Sequence, residues 1–103
     1  MYDTPLTLRS EYWDKDNAGN IENATADKTV LCEVKSVRQS EFYQSMANGL
    51  KPELMVEIAD YRDYNNEQLA VVGGVVYRVL RTYKKKTVLE IVLYGGVIKD
   101  ADT

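Results

Sequence analysis

The sequence contains no histidine, and this absence removes several kinds of chemistry at once. Without an imidazole the chain has no Ser-His-Asp or Cys-His nucleophile system and no histidine-ligated metal site. Its single cysteine, Cys32, leaves no partner for a disulfide within the chain. The two glycine pairs, Gly73-Gly74 and Gly95-Gly96, are typical of turns and not of phosphate-binding loops. We therefore expect no catalytic residues, no cofactor and no metal, and a protein that is not an enzyme.

Positive charge is also scarce, with 13 lysines and arginines against 16 aspartates and glutamates. The formal net charge is −3 and the isoelectric point is about 4.9. Sequence-independent binding to nucleic acid usually requires a basic stripe, which this balance disfavours. An acidic chain can still line a channel through which DNA slides, because repulsion discourages adhesion. Neither a signal peptide nor an apolar run of transmembrane length is expected from the sequence.

Alternating hydrophobic residues predict six short strands. The predicted ranges are 6–13, 28–38, 53–61, 69–72, 75–83 and 87–94. Gly73-Gly74 suits a tight hairpin turn, and the lysines at 84–86 suit a second turn. The fold class expected is therefore mainly β, a small antiparallel six-stranded barrel or sandwich. Residues 1–96 are assigned to this single domain, and residues 97–103 to a flexible C-terminal tail.

The segment between the second and third predicted strands has a helical pattern. Ser40 is a candidate N-cap and Gly49 a stop signal, so a short α-helix is predicted over residues 41–47. About two helical turns are not stable alone in water, and this helix is expected to pack against the sheet. In the strand before it, Cys32 lies on the apolar side and is predicted to be a core residue.

A polar stretch without periodicity, residues 14–27, follows the first predicted strand and is interpreted as a long loop. Loops of this length inside small domains tend to be functional or mobile. The residues proposed to contact a partner or to face a channel are Asp14, Asp16, Asn17, Asn20, Glu22 and Asn23. The stretch partly matches a calcium loop, but the twelfth position is Thr25 where a bidentate glutamate is required. A solvated turn is the better interpretation.

The last two predicted strands are apolar on both faces. A monomeric antiparallel sheet usually presents one polar face to water, so either the helix or another subunit is expected to cover the second face. The lysine triplet and the nearby Arg78 and Arg81 form a basic cluster in the sequence. It is interpreted either as a solvated hairpin tip or as a contact with an acidic partner or with DNA phosphates. The candidate subunit or partner contacts are Phe42, Tyr43, Val76, Leu80, Val88, Val92, Lys84, Lys85 and Lys86.

Several segments resemble phage head–tail joining proteins, which are also called head-closure or stopper proteins. They are residues 16–20 (DNAGN), 36–44 (SVRQSEFYQ), 49–53 (GLKPE), 63–67 (DYNNE) and 76–83 (VYRVLRTY). The resemblance covers about residues 6–94. It departs from the family pattern at Asn66, where relatives often have glycine, but asparagine tolerates the same left-handed conformation.

The resemblance implies a small β-barrel with a short helix that adds to the portal vertex after DNA packaging. There it would form a ring, dodecameric on a portal template, contact the portal or adaptor ring and the tail proteins, and retain the genome. DNA would pass without sequence-specific binding, no membrane would be involved, and the location would be the virion neck after assembly in the bacterial cytoplasm. The alternatives are a tail-completion or neck protein of another position, and a nucleic-acid-binding barrel with a basic groove and exposed aromatics.

Overall fold

The computed structural model describes residues 2–37, 49 and 51–98, and most of them lie in six β-strands. The strands are β1 (Thr4–Lys15), β2 (Ile21–Lys35), β3 (Pro52–Ile58), β4 (Leu69–Val72), β5 (Val75–Lys85) and β6 (Val88–Ile98). One turn of 3-10 helix, Tyr61–Asp63, lies between β3 and β4. The mainly β, six-stranded antiparallel prediction is therefore confirmed. The helix predicted over residues 41–47, with Phe42 and Tyr43, lies outside the described residues.

The strands form one sheet whose hydrogen bonds run round a closed ring in the order β1-β2-β3-β6-β5-β4. Every neighbouring pair is antiparallel, including β1 and β4, whose pairing closes the ring. A single closed sheet differs from a sandwich, which needs two sheets packed face to face. Within the closed part of the sheet, closure also removes the free strand edges that would otherwise pair with other chains.

The inside of the closed sheet is filled by alternate residues of five strands. Its buried side chains are Leu6, Leu8, Cys32, Val56, Ile58, Ala70, Leu89, Ile91 and Leu93. Tyr61 and Tyr64 pack against this cluster from the segment between β3 and β4. The prediction that Cys32 is a core residue is confirmed, and burial raises the pKa of its thiol. The closed sheet therefore has its own hydrophobic core.

β1 and β2 extend far beyond the closed sheet, so the loop predicted over residues 14–27 was wrong. β1 pairs with β4 only through residues 7–9, and β2 pairs with β3 only through residues 32–35. The two strands nevertheless pair with each other as far as Lys15 and Ile21. Residues 10–27 thus form a two-stranded ribbon, called the arm below. At the usual rise per residue it reaches about 20 Å from the sheet.

The loop prediction failed because a ribbon with two exposed faces needs no hydrophobic alternation. All residues from 11 to 23 are exposed, and among the described strands each arm strand pairs in the sheet only with the other arm strand. Periodicity in a sequence reports the burial of one face, so it carries no signal here. The arm is held together by backbone hydrogen bonds and cross-strand pairs, which a linear pattern does not reveal.

β6 continues through Gly95-Gly96 to Ile98, although the sequence analysis ended the strand at residue 94 and began a flexible tail at residue 97. The backbone at Gly96 lies against the ring of Tyr77, and a Cβ added there would be 2.7 Å from Tyr77 Cε1. The Gly96 N–H donates to Glu53 Oε1 at 2.6 Å. Glycine is thus required for close approach, and the strand continues. Residues 99–103 lie outside the described part of the chain.

Replacement of Gly96 by alanine is expected to lower the free energy of unfolding by about 1–3 kcal/mol, because Tyr77 must move to accommodate the methyl group. Gly73→Asn provides the matched control, since nothing lies within 4 Å of a Cβ at Gly73. Its φ of 59° is one that asparagine tolerates in a tight hairpin turn. Urea denaturation of the two variants measures the difference. Equal stabilities would contradict the close packing at Gly96.

Candidate functional site

The arm presents two different exposed faces near its end. Trp13 and Ile21, which are 72% and 66% exposed, lie on one face together with Lys15. The opposite face carries Tyr12, with Asp14 directly opposite Glu22. Large exposed apolar side chains grouped on one small surface usually mark a contact with another molecule. Trp and Tyr are also the residues most often found at the centres of interfaces.

The residues proposed from the sequence as partner or channel contacts all lie on this arm. Asp14 belongs to β1, Glu22 and Asn23 belong to β2, and Asp16, Asn17 and Asn20 form the turn between them. Trp13 and Ile21 were not among the residues proposed from the sequence, and Tyr12 was placed only within the first predicted strand, residues 6–13. The available signal was the Tyr-Trp pair placed immediately before a stretch without alternation.

The turn at the end of the arm is organised by Asp16. Its Oδ1 accepts the backbone N–H groups of Ala18 at 2.9 Å and Asn20 at 2.8 Å. These bonds, with that from Asn20 first, lower the pKa of the Asp16 carboxyl. Gly19 has a φ of 87°, a left-handed conformation that favours glycine. Within the part of the chain that the structure describes, no group of three or more acidic or sulfur side chains forms a metal site.

Two sets of contacts join the base of the arm to the closed sheet. Arg9 forms a two-pronged ion pair with Asp27 across β1 and β2, at 2.9 Å and 3.0 Å. The arginine holds the pKa of the Asp27 carboxyl below its usual range. Next along β1, the Glu11 N–H donates to Gln68 Oε1 at 3.1 Å. The base of the arm is therefore oriented by side chains, whereas its end projects freely.

A groove of about 460 Å³ opens beside the base of the arm. Its lining residues are Tyr64, Asn66, Glu67, Gln68, Arg78, Val79, Leu80, Arg81, Thr82 and Tyr94. Arg78 is exposed, and it lies opposite Tyr94 in the pairing of β5 with β6. The volume is within the range of pockets that bind small molecules or anchoring side chains.

One wall of the groove is the segment between β3 and β4. The Tyr64 hydroxyl donates to the Glu67 carbonyl at 2.8 Å, and the Asn65 N–H donates to Glu67 Oε1 at 2.6 Å. Burial raises the pKa of Tyr64. Asn66 has a φ of 64°, so the expectation that asparagine adopts the left-handed conformation here is confirmed. The buried Glu67 therefore organises this wall.

The residues proposed as subunit contacts on β5 and β6 differ in how deeply they are buried within the chain. Val92 is fully buried within the chain, so its nomination as a contact was wrong. Val76, Leu80 and Val88 are half-buried, and Leu80 lines the groove. The three lysines, Lys84, Lys85 and Lys86, are exposed at the far end of the β5–β6 hairpin.

The lysines and the groove arginines do not form one basic cluster. Arg78 pairs with Tyr94 near the middle of β6, whereas Lys85 pairs with Val88 at its start. Lys84 places its Nζ 4.0 Å from the centre of the Tyr61 ring, a cation–π contact. Basic charge is therefore divided between the groove and the hairpin tip.

Three glutamates lie in register across the sheet, although nothing in the sequence pattern indicated that they are neighbours. Glu33 pairs with Glu57, and Glu57 pairs with Glu90. Lys35 Nζ lies 2.7 Å from Glu57 and 3.9 Å from Glu90, and the Tyr2 hydroxyl donates to Glu57. The bond from Lys35, followed by that from Tyr2, lowers the pKa of Glu57. Residue order alone could not reveal this alignment, because it depends on strand register.

Replacement of Lys35 by methionine is expected to destabilise the protein more at neutral pH than in acid. The Glu57 pKa is lowered on folding, so its contribution is present above the usual glutamate range and is lost as the pH falls through the lowered value. The Lys35 pKa is raised, so that contribution is lost only in strong base. Urea denaturation at about pH 7 and about pH 3 measures the difference. Lys51→Met is the control, and an equal loss at both pH values would contradict the coupling.

Comparisons with known proteins bear on the fold. No protein-family model and no curated protein matches the chain. Among the described residues, no helix is long and apolar enough to cross a membrane. The solution structure of protein SF1141 from Shigella flexneri 2a is similar, with a TM-score of 0.73 and 21% sequence identity over 95% of this chain and 96% of that chain. The chain therefore shares its overall fold with protein SF1141.

Proposed function

We propose that this chain is a structural head–tail joining protein of a tailed phage or prophage. It assembles into a ring at the portal vertex, closes the filled head and retains the DNA. The observation that supports this best is the arm, which projects about 20 Å from a small closed sheet and ends in exposed Trp13 and Ile21. A rigid scaffold that holds out such a segment suits assembly better than chemistry.

The charge of the arm suits a position near DNA. Between residues 11 and 23 it carries Glu11, Asp14, Asp16 and Glu22 against the single base Lys15. An acidic arm beside a channel would repel the phosphate backbone, so that DNA could pass without adhering. The arm face with Trp13 and Ile21 would contact the portal, the adaptor ring or the tail. Weak contacts of this kind gain strength when a ring presents many of them together.

Electron microscopy of particles made after deletion of this gene from its parent phage tests the proposal. We expect free tails beside tailless heads that have lost their DNA, and recovery of whole particles when the gene is supplied in trans. Tails that are themselves incomplete, beside filled heads, would assign the chain to tail completion. Normal infectious particles without the protein would contradict any role in joining.

A second function is favoured by the groove, where Arg78 lies beside Tyr64 and Tyr94. A basic groove with aromatic side chains is what a nucleic-acid-binding barrel requires. Fluorescence anisotropy with single-stranded DNA tests this alternative. Binding that weakens steeply with salt and is lost on Arg78→Glu would favour it. Absence of binding at low salt would remove it.

A further inference from the structure

We infer that the end of the arm of one copy docks into the groove of a neighbouring copy, so that subunits join head to tail. This inference rests on the proposed function and names the contact through which the ring would form. The occupant of the groove is a second copy of this chain, and the docking face of the arm is the one that carries Tyr12, Asp14 and Glu22.

The first observation that supports this contact is a pair of like charges within the arm. Asp14 and Glu22 lie directly opposite each other in the β1–β2 ladder, and like charges at such positions destabilise a ribbon. Both side chains are exposed, and Lys15 points to the opposite face. A pair that weakens the isolated arm is explained when a cation from another molecule neutralises it.

The second support is the groove, which supplies such a cation. Arg78 is exposed on its wall, and an arginine fork can bind carboxylates with two hydrogen bonds. Leu80 and Tyr94 add apolar lining beside it, against which the ring of Tyr12 can pack. The groove and the arm face are therefore complementary both in charge and in apolar surface.

The third support is that the two surfaces cannot meet within one chain. Gln68 lines the groove and also binds the Glu11 N–H, so the groove lies at the base of its own arm. The extended ribbon carries Asp14 and Glu22 away from that base. Two complementary surfaces at different places on one molecule form a heterologous contact, which closes into a ring when the rotation allows. The face with Trp13 and Ile21 stays available for the neighbouring components.

Sedimentation equilibrium of the purified full chain, up to millimolar concentration and at low salt, tests the contact. We expect self-association that weakens as salt is added. Reversal of the arm charges in Asp14→Lys/Glu22→Lys, or of the groove charge in Arg78→Glu, should lower the association constant at least about tenfold, as expected for a close charge pair. The chain that carries all three substitutions should recover much of the lost association.

The controls separate this contact from general charge effects and from loss of folding. Lys51→Glu makes the same charge change as Arg78→Glu at an exposed position that belongs neither to the groove nor to the arm, and it should leave association unchanged. Trp13→Ser changes the other arm face and should also have no effect. In dilute solution, Glu22→Gln should melt at the same temperature as the wild type or higher, because it removes the repulsion from Asp14.

Three results would overturn the inference. They are a wild-type chain that remains monomeric at millimolar concentration, charge reversals without effect, and reversals that do not compensate each other. Binding of single-stranded DNA through Arg78 without self-association would give the groove a different occupant. Head–tail joining is measured separately by the deletion phage. Tailless heads together with a monomeric chain would leave that function supported and only the arm–groove contact wrong.

Discussion

Replacement of Leu8 by alanine is expected to lower the free energy of unfolding by about 2–5 kcal/mol, which approaches the whole stability of many small domains. Leu8 is 0% exposed, and it lies at the point where β1 pairs with both β2 and β4. Truncation leaves a cavity inside a closed sheet, and the ring of backbone hydrogen bonds limits how far the walls can collapse into it. The loss should therefore lie in the upper part of that range.

Leu31→Ala makes the same chemical change on the neighbouring strand and is the matched control. Leu31 is 55% exposed, so its truncation should change stability by no more than about 0.5 kcal/mol. Urea denaturation monitored by circular dichroism measures both variants. If Leu8→Ala and Leu31→Ala were equally stable, the inner face of β1 would have been assigned incorrectly.

Removal of the arm is expected to abolish head–tail joining while the closed sheet remains folded. The change replaces residues 11–25 by Asn-Gly, so that a two-residue turn joins Ser10 to Ala26, its direct partner in the ladder. The deleted residues make no contribution to the buried core, and the bond from the Glu11 N–H to Gln68 is lost. A cost of about 1 kcal/mol would lower the melting temperature by roughly 4–8 °C.

Two measurements separate the expected outcomes of the arm deletion. Thermal denaturation of the purified variant should show a cooperative transition within that range of the wild type. Complementation of the deletion phage by the same variant should yield as few infectious particles as an empty vector. Wild-type complementation by the armless chain would show that the arm is dispensable, and the proposed function would then lose its main support.

On these two predictions, the closed sheet provides the stability of the molecule and the arm provides its contacts with other components. The core residues contributed by β1, β2, β3, β4 and β6 hold the sheet closed. The arm buries almost nothing of its own and is oriented at its base by Arg9 and Asp27. Substitutions on the arm are therefore expected to act on assembly more than on folding.

Much of the closed sheet was predictable because its inner face is buried along several strands. Leu6 and Leu8 alternate with polar residues, and the run at 69–72 followed by Gly73-Gly74 predicted β4 and its turn with the correct bounds. Both glycines have the positive φ that a tight turn of this type requires. Where one-sided burial or turn geometry constrains the residue type, the local sequence carries the information.

The candidate site was predicted in position but not in form. The residues nominated between 14 and 23 do lie on one projecting segment, yet that segment is a paired ribbon and its most exposed large hydrophobic residues, Trp13 and Ile21, were missed. The groove was not anticipated, since its lining comes from the segment between β3 and β4 and from β5 and β6. Val92 was misassigned because its burial depends on neighbours far along the chain.

The residue pattern was sufficient to predict the mainly β class, six antiparallel strands, the glycine turn before β5 and the core position of Cys32. Three features became visible only in the folded chain: the closure of the sheet through β1 and β4, the ribbon form of the arm, and the alignment of Glu33, Glu57 and Glu90. They depend on strand pairing and register, which arise from hydrogen bonds between residues distant along the chain. Hydrophobic periodicity reports only which side of a strand avoids water.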